Sequence, residues 1–124
     1  MPYSIEWERA GVTWVYWGVV TGDELLRSNQ EIYGSARFDD MTYQVVDLTR
    51  VERFDVTPDD MTVVAASDRA AALTNPNVRV AVAASDETVR RLSDLYAEVS
   101  RGSPWEQMVF DTVGEAEVWA RRQA

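Results

Sequence analysis

The feature that most constrains the fold is a recurring pair of local signals, an apolar run followed by a helix-capping sequence. Residues 12–20 are rich in Val, Trp and Tyr, and they precede Thr21-Gly22-Asp23-Glu24, which has the Thr-x-x-Glu form of a capping box. The same order of strand and helix start recurs along the rest of the chain. Strands that alternate with helices predict a mainly parallel sheet with right-handed crossovers.

The predicted elements follow in the order ββαβαβαβα, an α/β fold. Residues 3–8 and 12–20 form an opening hairpin, and neither face of its second strand is polar, so we expect both faces to be covered. The later strands are predicted at residues 43–48, 78–83 and 107–110. The helices are predicted from Thr21 to near Gly34, from Pro58 to about Leu73, from Ser85 to Gly102, and from Thr112 onwards. We expect one domain over residues 1–124, with a five-stranded, mainly parallel sheet and an antiparallel strand at its edge.

The composition excludes much of enzyme chemistry. The chain has no Cys, no His and no Lys, so its 12 basic residues are all Arg. A thiol nucleophile, a Ser-His-Asp triad, a lysine Schiff base and a Walker A lysine are therefore excluded. Carboxylates, hydroxyls, arginines and backbone groups remain. We predict no catalytic residue, no metal site and no cofactor.

The charge of the chain argues against anionic partners. Its net charge is −9, and the acidic residues are concentrated in the first half. Nucleic acids and anionic membrane surfaces are recruited by clustered basic residues, so neither is an expected partner. No apolar run reaches the roughly 18 residues that a membrane span requires, and the first residues lack a basic start followed by an apolar stretch. We expect a cytoplasmic protein.

Two segments of the sequence resemble a known family. Residues 45–57 form a strand ending in Asp-Leu-Thr, a short connection, and Asp-Val-Thr at a helix start. Residues 109–119, Val-Phe-Asp-Thr-Val-Gly-Glu-Ala-Glu-Val-Trp, are similar to the end of many SpoIIAA-like proteins of the STAS family. This resemblance implies a SpoIIAA-like (βα)n superhelix in a bacterial protein.

The same resemblance implies a function and a site. Anti-sigma-factor antagonists of this family carry a phosphorylatable Ser or Thr where the second helix begins, and Thr57 occupies that position. The implied function is a non-catalytic regulatory or protein-interaction domain, with a partner of the kinase or anti-sigma-factor type. The candidate partner-binding residues are Asp47, Thr49, Asp55, Thr57 and Asp59.

Simpler roles explain the same residues. Thr57 followed by Pro58 suits an N-cap without any modification. Asp47, Asp55, Asp59 and Asp60 could hold a divalent cation, because hard cations prefer several oxygen ligands. Alternatively, Asp47 would accept backbone hydrogen bonds in the loop after its strand, and the aspartates at the helix start would only cap it.

Aromatic residues of the opening hairpin are the second candidate site. They are Trp7, Trp14, Tyr16 and Trp17. Core packing accounts for each one singly, but the set is large for a chain of 124 residues. Because interfaces favour Trp and Tyr, we predict a homodimer through this surface. The alternative function is a small-molecule or lipid carrier that binds an apolar ligand against these rings.

Overall fold

A computed structural model describes residues 3–122 and has the predicted order of elements. Strand β1 pairs antiparallel with β2, and β2 to β5 are parallel in the order β1-β2-β3-β4-β5. The strands are β1 Tyr3–Trp7, β2 Gly11–Thr21, β3 Tyr43–Asp55, β4 Arg79–Ala83 and β5 Glu106–Phe110. The helices are α1 Gly22–Tyr33, α2 Pro58–Thr74, α3 Glu87–Val99 and α4 Val113–Arg121. A short 3-10 turn, Ala36–Asp40, lies between α1 and β3. The predicted α/β fold is confirmed.

Side-chain caps fix where the helices begin. The side-chain hydroxyl oxygens of Thr21, Thr57 and Thr112 each accept a hydrogen bond from the backbone N–H of the residue three positions later. Asp86 serves the same purpose for α3, since its carboxylate accepts the N–H of Val89 at 3.2 Å. These caps satisfy helical N–H groups that have no partner within the helix, so they set the point at which each crossover turns back over the sheet.

The sheet separates two apolar layers. Helices α1, α2 and α3 lie side by side over one face, where Trp14, Tyr16 and Ile32 are among the largest buried side chains. Helix α4 packs on the opposite face of β3, β4 and β5, through Ala116 and Ala120. Because α4 packs mainly against β3, β4 and β5, it leaves Trp17 and Val19 of the hairpin exposed on that side.

Strand β3 is longer than predicted, and this is the main correction to the fold. The strand does not end at Leu48 but continues to Asp55, paired with the second half of β2 as far as Thr21↔Asp55. The register shifts twice along this pair, and Gly18 there has φ +66°, a conformation that residues with a side chain rarely adopt. Strand β4 pairs with β3 only up to Asp47, so the ends of β2 and β3 project as a two-stranded ribbon, residues 17–21 and 48–55.

Within residues 3–122, no helix combines the length and the apolar character needed to cross a bilayer.

Asn75 fastens the connection between α2 and β4, and its replacement tests this part of the fold. Its buried side-chain amide donates to the carbonyl oxygens of Phe38 at 2.9 Å and Met41 at 2.8 Å. We predict that Asn75→Ala lowers the free energy of unfolding by about 1 to 3 kcal/mol, because both carbonyls lose their donor. Urea unfolding would measure this. Asn77→Ala, at an exposed neighbour, is the control, and an equal loss in both variants would contradict the prediction.

Candidate functional site

The start of α2 places an exposed hydroxyl in a complete capping box. Thr57 Oγ1 accepts the backbone N–H of Asp60 at 3.1 Å, and the Asp60 carboxylate accepts the backbone N–H of Thr57 at 3.0 Å. Pro58 occupies the first turn, where its missing N–H costs no hydrogen bond. Thr57 is therefore held in one position at the protein surface by two hydrogen bonds to Asp60.

The start of α1 lies directly beside the start of α2. Thr21 pairs with Asp55 at the end of the ribbon, and a Cβ on Gly22 would lie 2.4 Å from Cγ of Asp60. Only a glycine permits that approach. With Asp55 and Asp59 exposed around Thr57, this end of the molecule presents negative charge, and we call residues 55, 57 and 59 the acidic edge.

Asp47 and Thr49 lie apart from the acidic edge. Asp47 is in the middle of the sheet, in register with Val15 and Ala83, and it is 5% exposed. Its carboxylate accepts the backbone N–H of Thr49 at 2.9 Å and the Thr49 hydroxyl at 2.6 Å. Asp55 follows eight positions further along the strand, about 26 Å along the chain. The five predicted residues therefore do not form one cluster.

The distance between Asp47 and the acidic edge shows whether these carboxylates bind a cation together or accept backbone hydrogen bonds separately. Asp47 engages the backbone two residues further on, although within an extended strand rather than in the predicted loop. Within residues 3–122, no group of three or more acidic side chains is arranged to hold a metal ion. The alternative of a cation bound by Asp47 together with the aspartates of the acidic edge is wrong.

The four candidate aromatic residues of the hairpin point in different directions. Trp14 and Tyr16 are each 1% exposed, under α1 to α3. Trp7 is half-buried, with the guanidinium of Arg37 at 4.5 Å from the centre of its ring. Trp17 lies on the opposite face and is 41% exposed. Trp7, Trp14 and Tyr16 thus pack toward the three helices, and Trp17 faces the other side, as the alternation of side chains along a strand predicts.

A small cavity lies between the sheet and the three helices, next to the buried aromatic pair. Its volume is about 70 Å³, and Trp14, Tyr16, Leu48 and Phe54 are among the residues that line it. Pockets for drug-sized ligands measure roughly 300 to 1,000 Å³. The cavity is too small for a lipid, so the carrier alternative gains no support from it.

A buried carboxylate that sequence analysis missed borders the same cavity. Asp68 of α2 is 7% exposed and accepts hydrogen bonds from the hydroxyls of Tyr33 and Tyr96, and from Asn29 Nδ2 at 3.3 Å. Burial raises the pKa of Asp68 to about 6, although both tyrosine hydrogen bonds favour the ionised form and oppose this shift. Burial and the adjacent carboxylate also hold the pKa of the Tyr96 phenol well above its usual range, so Tyr96 remains a donor.

A sequence signal for Asp68 did exist. The buried positions of α2 recur at helical spacing, and Asp68 falls within that series. The series is Met61, Val64, Ala65, Asp68, Ala71 and Ala72. An acidic residue on the apolar stripe of a helix predicts a buried carboxylate with donors opposite to it.

Comparison with known proteins establishes the fold. No family model matches the sequence, and no curated protein matches it significantly. The structure is similar to the anti-sigma factor antagonist SpoIIAA in its unphosphorylated form, with a TM-score of 0.66 and 15% identity over 98% of this chain and 99% of that one. The phosphorylated form of SpoIIAA, the Bacillus cell fate determinant, gives 0.63 and 15% over 96% and 99%.

A third solved structure extends this likeness. It is an uncharacterized protein with a SpoIIAA-like fold from Shewanella loihica, with a TM-score of 0.55 and 15% identity over 95% of this chain and 91% of that one. The chain therefore has the SpoIIAA-like fold that its sequence predicted.

The raised pKa of Asp68 predicts a pH dependence of stability. The folded state binds the proton more tightly than the unfolded state, whose pKa is near 3.8. The stabilising contribution is thus complete below about pH 4 and is lost as the pH rises through about 6, a change of up to about 3 kcal/mol. We expect this fall in wild-type unfolding free energy, and its absence in Asp68→Asn. Parallel pH profiles of the two proteins in urea unfolding would contradict the assignment.

Proposed function

We propose that this chain is a non-catalytic regulatory domain that acts by binding a protein partner through the acidic edge. One observation carries the proposal. An exposed hydroxyl stands at the N-cap of α2, in a fold similar over nearly its whole length to that of an anti-sigma factor antagonist solved in unphosphorylated and phosphorylated forms. The partner is of the kinase or anti-sigma-factor type.

The charge of the acidic edge supports a partner of opposite sign. Asp55 and Asp59 are exposed on either side of Thr57, and Asp23 is exposed at the adjacent start of α1. Electrostatic complementarity mainly raises the rate and selectivity of association, so a basic surface on the partner would be steered to this end of the molecule.

Phosphorylation of Thr57 would act as a release switch. The phosphoryl group adds a charge of about −2 close to Asp55 and Asp59, and it occupies the oxygen that now accepts the Asp60 N–H. The positive end of the α2 dipole offsets only part of this repulsion. The phosphate would therefore be repelled by the neighbouring carboxylates, and the acidic edge would present more negative charge to the partner.

Substitutions at Thr57 test the partner-binding surface. We predict that Thr57→Glu and Asp59→Arg abolish capture of the partner, because each alters the charge of the acidic edge. Thr57→Ala should weaken it while lowering stability by only about 1 kcal/mol, the worth of a cap. Affinity capture with the purified chain as bait identifies the partner, and chemical crosslinking of the complex locates the surface that the partner contacts.

Thr62→Ala is the matched control for that experiment. Thr62 is also an exposed threonine of α2, and its hydroxyl donates to the carbonyl oxygen of Pro58 at 3.1 Å but makes no hydrogen bond of the capping box. It should recover the partner as the wild type does. Equal recovery by Thr57→Glu, or crosslinks that avoid the acidic edge, would remove this surface from the account.

The proposed homodimer rests on a smaller surface than the sequence indicated. Trp17 and Val19 are 41% and 50% exposed on the hairpin face that α4 leaves uncovered. We propose that a second copy of the chain covers these two side chains, since Trp is favoured at the centre of interfaces.

The mass of the purified protein in solution tests the dimer. Light scattering should give twice the chain mass of 14.0 kDa for the wild type and the single mass for Trp17→Ser. Leu73→Ser removes another exposed apolar side chain, on α2, and should leave the dimer intact. A monomeric wild type would refute the proposal.

A further inference from the structure

A polar pocket of about 250 Å³ lies between the second halves of α2 and α3 and the start of β5. We propose that it binds a compact organic anion that carries a hydrogen-bond donor. Asp68, at its floor, lies eleven residues beyond Thr57, about 16 Å along α2, so this pocket is separate from the acidic edge. The residues that line it include Asp68, Arg69, Ser100, Arg101, Trp105 and Gln107.

One buried oxygen at this pocket lacks a partner. Within residues 3–122, Gln107 Oε1 has no hydrogen-bond partner, and Gln107 lies between this pocket and the small cavity beside Trp14. The other end of the Gln107 amide is engaged, since Nε2 donates to the carbonyl oxygen of Ser93 at 3.4 Å. Buried polar atoms are almost always paired, and an amide oxygen can only accept. A ligand group that donates a hydrogen bond would satisfy Gln107 Oε1 in this pocket.

The mouth of the pocket favours negative charge. Arg69 and Arg101 are exposed there, and neither takes part in an ion pair within residues 3–122. The carboxylate of the lining, Asp68, already accepts hydrogen bonds from Tyr33 and Tyr96. Arg69 donates one hydrogen bond to the Val99 carbonyl oxygen at 3.5 Å. In a chain of net charge −9, these two arginines without carboxylate partners form a local site for a carboxylate or phosphate group.

The remaining wall is fixed in place. The Trp105 indole N–H donates to the carbonyl oxygen of Asn75 at 2.7 Å, which holds the ring at the side of the pocket. Gly102 has φ +92° in the turn that follows α3, a conformation that a side chain rarely adopts. A fixed wall lowers the ordering cost of binding, and a volume below the usual range for drug-sized ligands selects a compact molecule.

Matched pairs of acids separate the contribution of the negative charge of the ligand from that of its hydroxyl donor. The full chain, labelled with nitrogen-15, would be titrated with L-malate and succinate, and with 4-hydroxybenzoate and benzoate. Within each pair only the first acid adds a hydroxyl donor. We expect saturable shifts of the Gly102 amide and Trp105 indole signals with at least one hydroxylated acid, bound about tenfold more tightly than its partner. No saturable shift with any acid, or equal affinity within both pairs, would overturn the proposal.

Variants assign the binding to this pocket. Arg69→Ala and Arg101→Ala should each weaken binding about tenfold, and Gln107→Met should abolish the preference for the hydroxylated acid. Arg53→Ala removes an exposed arginine on the ribbon and is the control for overall charge. Equal weakening by Arg53→Ala would show that the acids respond only to net charge and would refute the site. Thermal melting of each variant verifies folding before titration.

Discussion

Three helices of this protein converge on one buried carboxylate. Asp68 of α2 accepts hydrogen bonds from Tyr33 and Asn29 of α1 and from Tyr96 of α3. The buried face of α2 is otherwise rich in alanine, whose small side chains permit several ways of packing. Directional hydrogen bonds to an acceptor that is only 7% exposed specify one arrangement, because a misplaced helix would leave the carboxylate unpaired. The cavity and the polar pocket both border this carboxylate, so their shape depends on it.

The order of elements was predictable because caps are local. A threonine with an acidic residue three positions later, as in Thr21 and Glu24, defines a helix start from four residues alone. The extent of β3 was not predictable in the same way. Residues 49–55 mix charged and apolar side chains, typical of a loop, and they become a strand only because β2 continues beside them. The secondary structure of residues 49–55 depends on pairing with β2 and not on local propensity.

The candidate sites show the same division between local and distant causes. Thr57 was placed correctly because its cap depends on Asp60, three residues away. The prediction that Asp47 lies beside Asp55 and Thr57 was wrong, because the sequence alone does not show that β3 continues to Asp55. Alternation along β2 separates Trp14 and Tyr16 from Trp17, but the sequence does not say which of the two faces the first crossover covers. Helix α1 covers the face that holds Trp14, which leaves Trp17 exposed on the other.

The ribbon formed by the ends of β2 and β3 gives the molecule an unequal distribution of local stability. Strands in the middle of the sheet have a neighbour on each side, whereas within residues 3–122 the segments 17–21 and 48–55 pair only with each other. We expect such a segment to open at a lower free energy than the sheet behind it, although Val20 and Leu48 are buried against the helices. Both strands of the ribbon lead directly into the caps of α1 and α2. A protein bound at the acidic edge would therefore suppress fraying of the ribbon and transmit order to two helix starts together.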